Sequence, residues 1–162
     1  MASLTFKGAD DFADKLLALG EESAKIAKHA LYEGAGTVAD ALRAAVESLP
    51  EGTPKGNSPS GHPFEGLTRE DKEDLLNGLG IARFEEGHNS VSTAISFSGY
   101  ARRTEKGHPN GVPLALIARS MESGSSVRKK HPFVRPTVNR IKQQAVDAMA
   151  RTANDDIQNA MR

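Results

Sequence analysis

The chain has 162 residues, 38% of them apolar and 26% charged, which suits one modest domain and excludes most multidomain enzymes. Lys and Arg number 21 and Asp and Glu number 21, a formal net charge of zero, which argues against a uniformly basic nucleic-acid coat and against an acidic disordered chain. There is no Cys, which removes disulfides, thiolate catalysis and Cys-type zinc sites, and with no Trp and only two Tyr the core must come mainly from Ala, Leu, Ile and Val.

At the start, Leu4 and Phe6 alternate with Ser3, Thr5 and Lys7, which predicts a short strand ended by Gly8. Asp10 or Asp11 can cap a helix carrying Phe12, Leu16, Leu17 and Leu19, with Gly20 as its stop. A second, longer helix is predicted from about Glu21 to Leu49. Its apolar face holds Ile26, Ala30, Leu31, Gly34, Val38, Leu42 and Val46, and Pro50 ends it. Residues 51–66 are rich in Pro, Gly, Ser and Asn and read as a loop, either a contact arm or a plainly mobile segment.

Thr68 opens Thr-Arg-Glu-Asp, the start of a short helix with Leu75, Leu76 and Leu79 on its apolar side and Gly78 and Gly80 at its end. Ile81–Glu86 and Ser90–Phe97 then predict an antiparallel hairpin. Val91, Thr93, Ile95 and Phe97 share its buried face. A polar connection with turn chemistry at His108-Pro109-Asn110-Gly111 leads to a helix over Leu114–Glu122, broken at Gly124-Ser125-Ser126. Arg128-Lys129-Lys130-His131-Pro132 is a basic extended stretch. Pro136 sits in the first turn of a last helix, with a stripe of Val138, Ile141, Ala145, Ala148, Met149, Thr152, Ala153 and Ile157. The fold class expected is α+β: a single domain over 1–162, with a small antiparallel sheet flanked by long N-terminal and C-terminal helices.

No catalytic motif survives inspection. Gly34-Ala35-Gly36-Thr37-Val38-Ala39 has the dinucleotide spacing but lies inside a helical pattern, where its amides are already bonded. It reads as close helix packing or a bend. Gly56–Gly61 has the spacing of a phosphate loop, but His62 and Pro63 stand where Lys and Ser or Thr must follow. Of His29, His62, His88, His108 and His131, three precede Pro and none is spaced as in a zinc-protease helix. Ser123-Gly124-Ser125-Ser126 lacks the nucleophile-elbow frame, and Glu85 and Glu86 point to opposite faces of a strand. The expectation is therefore no catalytic residue, no metal and no cofactor. No apolar run approaches the roughly 20 residues needed to cross a bilayer, and the first residues lack a signal pattern. A soluble product that starts in the cytosol is expected.

The zero net charge hides a division. Residues 1–99 carry 9 Lys or Arg and 16 Asp or Glu, a net of −7; residues 100–162 carry 12 and 5, a net of +7. Three readings follow: a basic tail meeting an acidic partner, identical subunits packed head to tail, or halves that neutralise each other within one fold.

The strongest local signal runs from Ile117 to Pro136. A helix end leads into a small-residue turn, then a cationic segment, then Phe133 and Val134 as anchors before the last helix. It is either a structural linker with solvated cations or a basic contact surface for an acidic partner, a neighbouring subunit or DNA phosphate. Arg128, Lys129, Lys130 and Arg135 are its candidate contact residues; Glu122, Gly124, Ser125, Pro132, Phe133 and Pro136 are its frame.

Here the chain resembles a known family. Ala118-Arg119 through Glu122-Ser123-Gly124-Ser125-Ser126, followed by His131-Pro132-Phe133-Val134-Arg135-Pro136, is similar to the signature of the tail-component, or head–tail joining (tail completion), proteins of long-tailed phages. The order of predicted elements agrees over nearly the whole chain. The likeness is weakest in the 51–66 loop, and Ser125 stands where Thr is common. The resemblance implies a non-enzymatic virion protein at the neck, made in the host cytoplasm, with a fold like that of tail terminators. It also implies a homo-oligomeric ring, commonly of six copies. Its partners would be the portal-side connector and the tail tube or tail terminator. DNA would meet it only as the genome passing through the lumen, and no membrane is involved. The alternative is a nucleic-acid-binding protein that uses the basic C-terminal part.

Overall fold

The two helices predicted on either side of Gly20 are one. In the computed structural model, which describes residues 9–52, 65–87, 90–126 and 128–162, helix α1 runs unbroken over Ala9–Glu47. A glycine inside a helix costs about 1 kcal/mol relative to Ala, which weakens a helix without ending it. Glu21, Glu22, Ala24 and Lys25 all favour continuation. The Ser23 hydroxyl donates to the Gly20 carbonyl at 2.8 Å. The predicted Leu4–Phe6 strand and the Gly56–Gly61 motif lie outside the described residues.

Seven further elements follow: α2 (Arg69–Gly78), β1 (Leu79–Ile81), β2 (Glu85–Glu86), β3 (Val91–Ser92), β4 (Ile95–Phe97), α3 (Leu114–Ser123) and α4 (Val134–Ala160). The fold is α+β, and long N-terminal and C-terminal helices flank the small antiparallel pairs. Among the described residues no helix is long and apolar enough to cross a membrane.

Helices α1 and α4 pack antiparallel along a seam of small side chains. His29 in the middle of α1 meets Asp156 near the end of α4, Nδ1 to Oδ2 at 2.7 Å. This bond raises the His29 pKa above its ordinary value. Further along, a Cβ on Gly34 would overlap the Met149 side chain, whereas one on Gly36 would meet nothing within 4 Å. The predicted glycine pair thus divides: Gly34 permits close packing, and Gly36 does not need to be glycine. We expect Gly34→Leu to cost about 1–3 kcal/mol by overpacking. Gly36→Ala should instead stabilise by about 0.5–1 kcal/mol through helix propensity. Urea unfolding midpoints of the two variants check both signs.

The predicted stripe on α4 holds from Ile141 to Ile157, with Ala145 buried and the others half-buried. It differs only at its start, where Thr137 is buried and Val138 is exposed. Thr137 continues the line of Phe133, which is buried in the core and whose carbonyl accepts from the Thr137 N–H. A residue one position further on is turned by about 100°.

Thr68 caps α2 as expected, its Oγ1 accepting from the Asp71 N–H at 3.0 Å. The predicted hairpin is present but interrupted. Strand β1 pairs with β4, Leu79 opposite Phe97, and β2 pairs with β3, Glu85 opposite Ser92. Between the two ladders the Thr93 hydroxyl takes the Ala82 carbonyl at 2.8 Å, diverting a group the ladder would use. Val91, Thr93, Ile95 and Phe97 do share one face, which is half-buried, while Ser90, Ser92 and Ala94 are exposed. The core lies where α2, α3 and the start of α4 meet the end of α1, around Val46, Leu67, Leu75, Ile117, Met121 and Phe133. The 51–66 loop is clamped at its root. Gly52 donates to the Leu67 carbonyl at 2.8 Å and Leu67 to the Pro50 carbonyl at 2.9 Å.

Candidate functional site

The stretch singled out in the sequence forms the junction between α3 and α4, and its frame residues each have a structural task. The first four amides of a helix have no partner within it. At α4 the Glu122 carboxylate takes three of them. Oε2 accepts from Phe133 and Val134 at 2.7 and 2.8 Å, and Oε1 from Arg135 at 3.1 Å. Pro136, next in line, has no N–H to satisfy. One acid and one proline thus complete the helix start from eleven residues upstream. Burial pushes the Glu122 carboxyl up, but the three amides outweigh it and hold it below the ordinary carboxylate range.

Gly124 ends α3 with φ of +77°, a left-handed conformation open to glycine, and its N–H donates to the Ser120 carbonyl at 3.0 Å. Ser125 closes a tight turn with Arg128: its N–H donates to the Arg128 carbonyl at 2.9 Å, and its hydroxyl accepts from the Arg128 N–H at 3.0 Å. Phe133 stacks edge-on against Phe97 with ring centroids 6.0 Å apart. Pro132 and Pro136 stay exposed beside the clefts on either side of the junction.

The four candidate contact cations fall into two pairs. Arg128 is half-buried and turned inward, its Nη1 donating to the Gly66 carbonyl at 2.6 Å and approaching the Met121 sulfur at 3.6 Å. Burial lowers its pKa first, and Asp71 nearby opposes the shift. Lys129 Nζ pairs with Glu65 at 2.7 Å and holds that carboxyl below its usual range. These two cations therefore pin the root of the 51–66 loop. Lys130 and Arg135 are exposed, and among the described residues neither has an ion-pair partner. Both line an open cleft of about 350 Å³ with Ser123 and Asn139.

A second cluster was not anticipated as a site. Asp71, fully buried on α2, accepts from Arg103 Nε at 3.1 Å, and Arg103 also pairs with Glu105. Asp74 takes both the Arg102 backbone N–H and its Nε at 2.8 Å, while Arg102 Nη2 reaches Glu73 at 3.0 Å and keeps that carboxyl low. The sequence signal was Asp71 and Asp74 in the turn of helix before Leu75, with adjacent arginines at 102 and 103. The pairing across some thirty residues had no local mark. With Glu65–Lys129, these pairs join acids of the first part of the chain to cations of the second. Part of the charge division is thus neutralised within the fold.

Among the described residues no three His, Asp or Glu side chains gather so as to hold a metal ion. His29 and His131 sit in separate places, one on α1 and one at the junction; His62 and His88 lie outside the described residues. No protein-family model, curated protein or solved structure matches the chain.

Proposed function

We propose that this chain is a non-enzymatic structural protein of a tailed-phage virion, placed at the head–tail junction as a neck or tail-completion component and assembling as a ring. The observation that carries the reading is the ordered signature Glu122-x-Gly124-Ser125-Ser126 with Pro132-Phe133-Val134-Arg135-Pro136. Its residues act together to stop one helix, turn the chain and start the next. Such a motif is a framework, and framework proteins present surfaces. Lys130 and Arg135 at the junction supply an exposed cationic surface, which can attract an acidic partner. In this reading the partners are further copies of the chain, the portal-side connector, and the tail tube or terminator. No cofactor takes part.

Deleting the gene from its phage tests the role. The expected result is full heads and complete tails that remain unjoined in electron micrographs; infectious particles of normal appearance would end the proposal. The exposed Lys130 and Arg135 also favour a second reading, binding of nucleic acid. It predicts retardation of duplex DNA that weakens steeply with salt.

A further inference from the structure

We propose that the His29–Asp156 pair is a pH-operated latch: it fastens the last turns of α4 to α1 while the imidazole is protonated and lets them loosen as the ring becomes neutral. The latch is independent of the ring role proposed above.

The far end of the α1–α4 pair is held differently from the rest. Beyond Ala145, from Val146 to Ala160, no side chain of α4 is fully buried; Ile157 and Ala160 are half-buried. Toward the same end, Ala30 is the last buried residue of α1 among those described, and Glu22, Ser23, Ala24 and Lys25 are exposed. An open cleft of about 340 Å³ lies here, walled by Ile26 and His29 from α1 and by Asp156, Asn159 and Ala160 from α4. Among the described residues the His29–Asp156 bond, Nδ1 to Oδ2 at 2.7 Å, is the only side-chain hydrogen bond that joins the two helices. A segment with few buried apolar contacts opens locally at low cost, so a single polar bond there shifts how often it opens.

The charges around the bond favour a cation at this place. Asp155 and Asp156 stand near the C-terminal end of α4, whose last turn holds no basic residue. That end of a helix carries partial negative charge and is stabilised by a cation. Protonated His29, reaching across from α1, supplies one. Around it, Glu33 one turn further along α1 is exposed. Lys25 one turn back faces Glu22 at 3.6 Å, Lys28 is paired with Glu86 on β2, and Arg162 follows the cap of α4. Histidine is the type of side chain among these that changes charge between pH 5 and 8.

Asp156 raises the His29 pKa above its ordinary value, through the hydrogen bond first and through its charge second; burial opposes the shift and Glu33 adds to it. A raised folded value sets the direction. The charge-assisted bond contributes fully below about pH 6.5, the ordinary histidine value, and its contribution is lost as pH rises through the raised one. The neutral ring can still present Nδ1–H to Asp156, but without the charge and as one of two tautomers. The latch therefore loosens without parting.

The test is amide exchange on the full-length protein between about pH 5.5 and about pH 8.5, each rate divided by its intrinsic rate at that pH. Protection of the amides from Asp156 to Ala160 should fall about two- to fivefold across the range, as fits an exposed ion pair, while amides around Ala145 keep theirs. His29→Gln and Asp156→Asn should show the lower protection throughout, with no such fall. The His29 side chain is 54% exposed, so its replacement leaves the core intact, and circular dichroism confirms that each variant is folded. The His29 ring, followed by NMR, should titrate above its ordinary value in the wild type and lower in Asp156→Asn. Wild-type protection that stays flat, or that falls equally in His29→Gln, would overturn the latch. An equal fall around Ala145 would do so too, since the loss would then be global. A His29 midpoint unmoved by Asp156→Asn would overturn the pairing itself.

Discussion

Arg103→Ala should destabilise the protein by about 3–5 kcal/mol, the range observed when one partner of a buried ion pair is removed. Asp71 has no exposure at all, and its Oδ1 accepts from Arg103 Nε. Its other oxygen, Oδ2, has no hydrogen-bond partner among the described residues. With Arg103 gone, the carboxylate would keep only the more distant charge of Arg128. The lost free energy corresponds to a fall in Tm on the order of 10 °C for a domain of this size. Urea unfolding should show a lower midpoint at an unchanged slope. Arg103→Met combined with Asp71→Leu should recover most of the loss, since an apolar pair of similar volume leaves no buried charge. A single variant as stable as the wild type would mean that Asp71 is solvated and the pair is peripheral.

Glu122→Ala should cost about 2–3 kcal/mol, because one carboxylate serves three amides through charge-assisted bonds. Glu122→Gln keeps an acceptor oxygen without the charge and should lose about half as much. Hydrogen exchange at the amides of Val134 and Arg135 is the specific readout. It should accelerate in Glu122→Ala, while amides in the middle of α4 change only with global stability. The same site carries a pH dependence. The Glu122 carboxyl lies below its ordinary range in the folded protein, so its contribution is complete above about pH 4.5 and is lost as pH falls through the depressed value. Glu65 and Glu73, held low by Lys129 and Arg102, act in the same direction. The wild type should therefore lose stability on acidification below about pH 4.5. In Glu122→Ala that slope should be shallower.

Several parts of the fold were legible in the sequence because their causes are local. Thr68 marked the start of α2 through its own hydroxyl. Gly124 marked the end of α3 because its φ disfavours other residues. The alternation of Val91, Thr93, Ile95 and Phe97 marked one face of the hairpin. Other parts were misread where a local signal met a tertiary one. Gly20 resembled a stop, yet its cost is smaller than what a long packed helix tolerates. Val138 fitted the apolar stripe, which holds from Ile141 onward, but at the start of α4 Thr137, one turn after the buried Phe133, is buried in its place. Arg128 and Lys129 resembled free contact residues. Their partners, the Gly66 carbonyl and Glu65, stand more than sixty residues upstream, and nothing near them in the sequence announces either.

The sequence by itself determined that this is one lean α+β domain with two long helices, and that the chain between Ile117 and Pro136 is its most distinctive stretch. Both follow from periodicity, caps and turn residues, which act over a few positions. Only the tertiary structure decided how the divided charge is used. The acids at 65, 71, 73 and 74 are joined to cations at 102, 103 and 129 inside the fold. Glu33 and Glu47 on α1 and Lys130 and Arg135 around the start of α4 stay exposed. That division depends on which helix faces are turned together, and a seam between residues more than a hundred positions apart sets it.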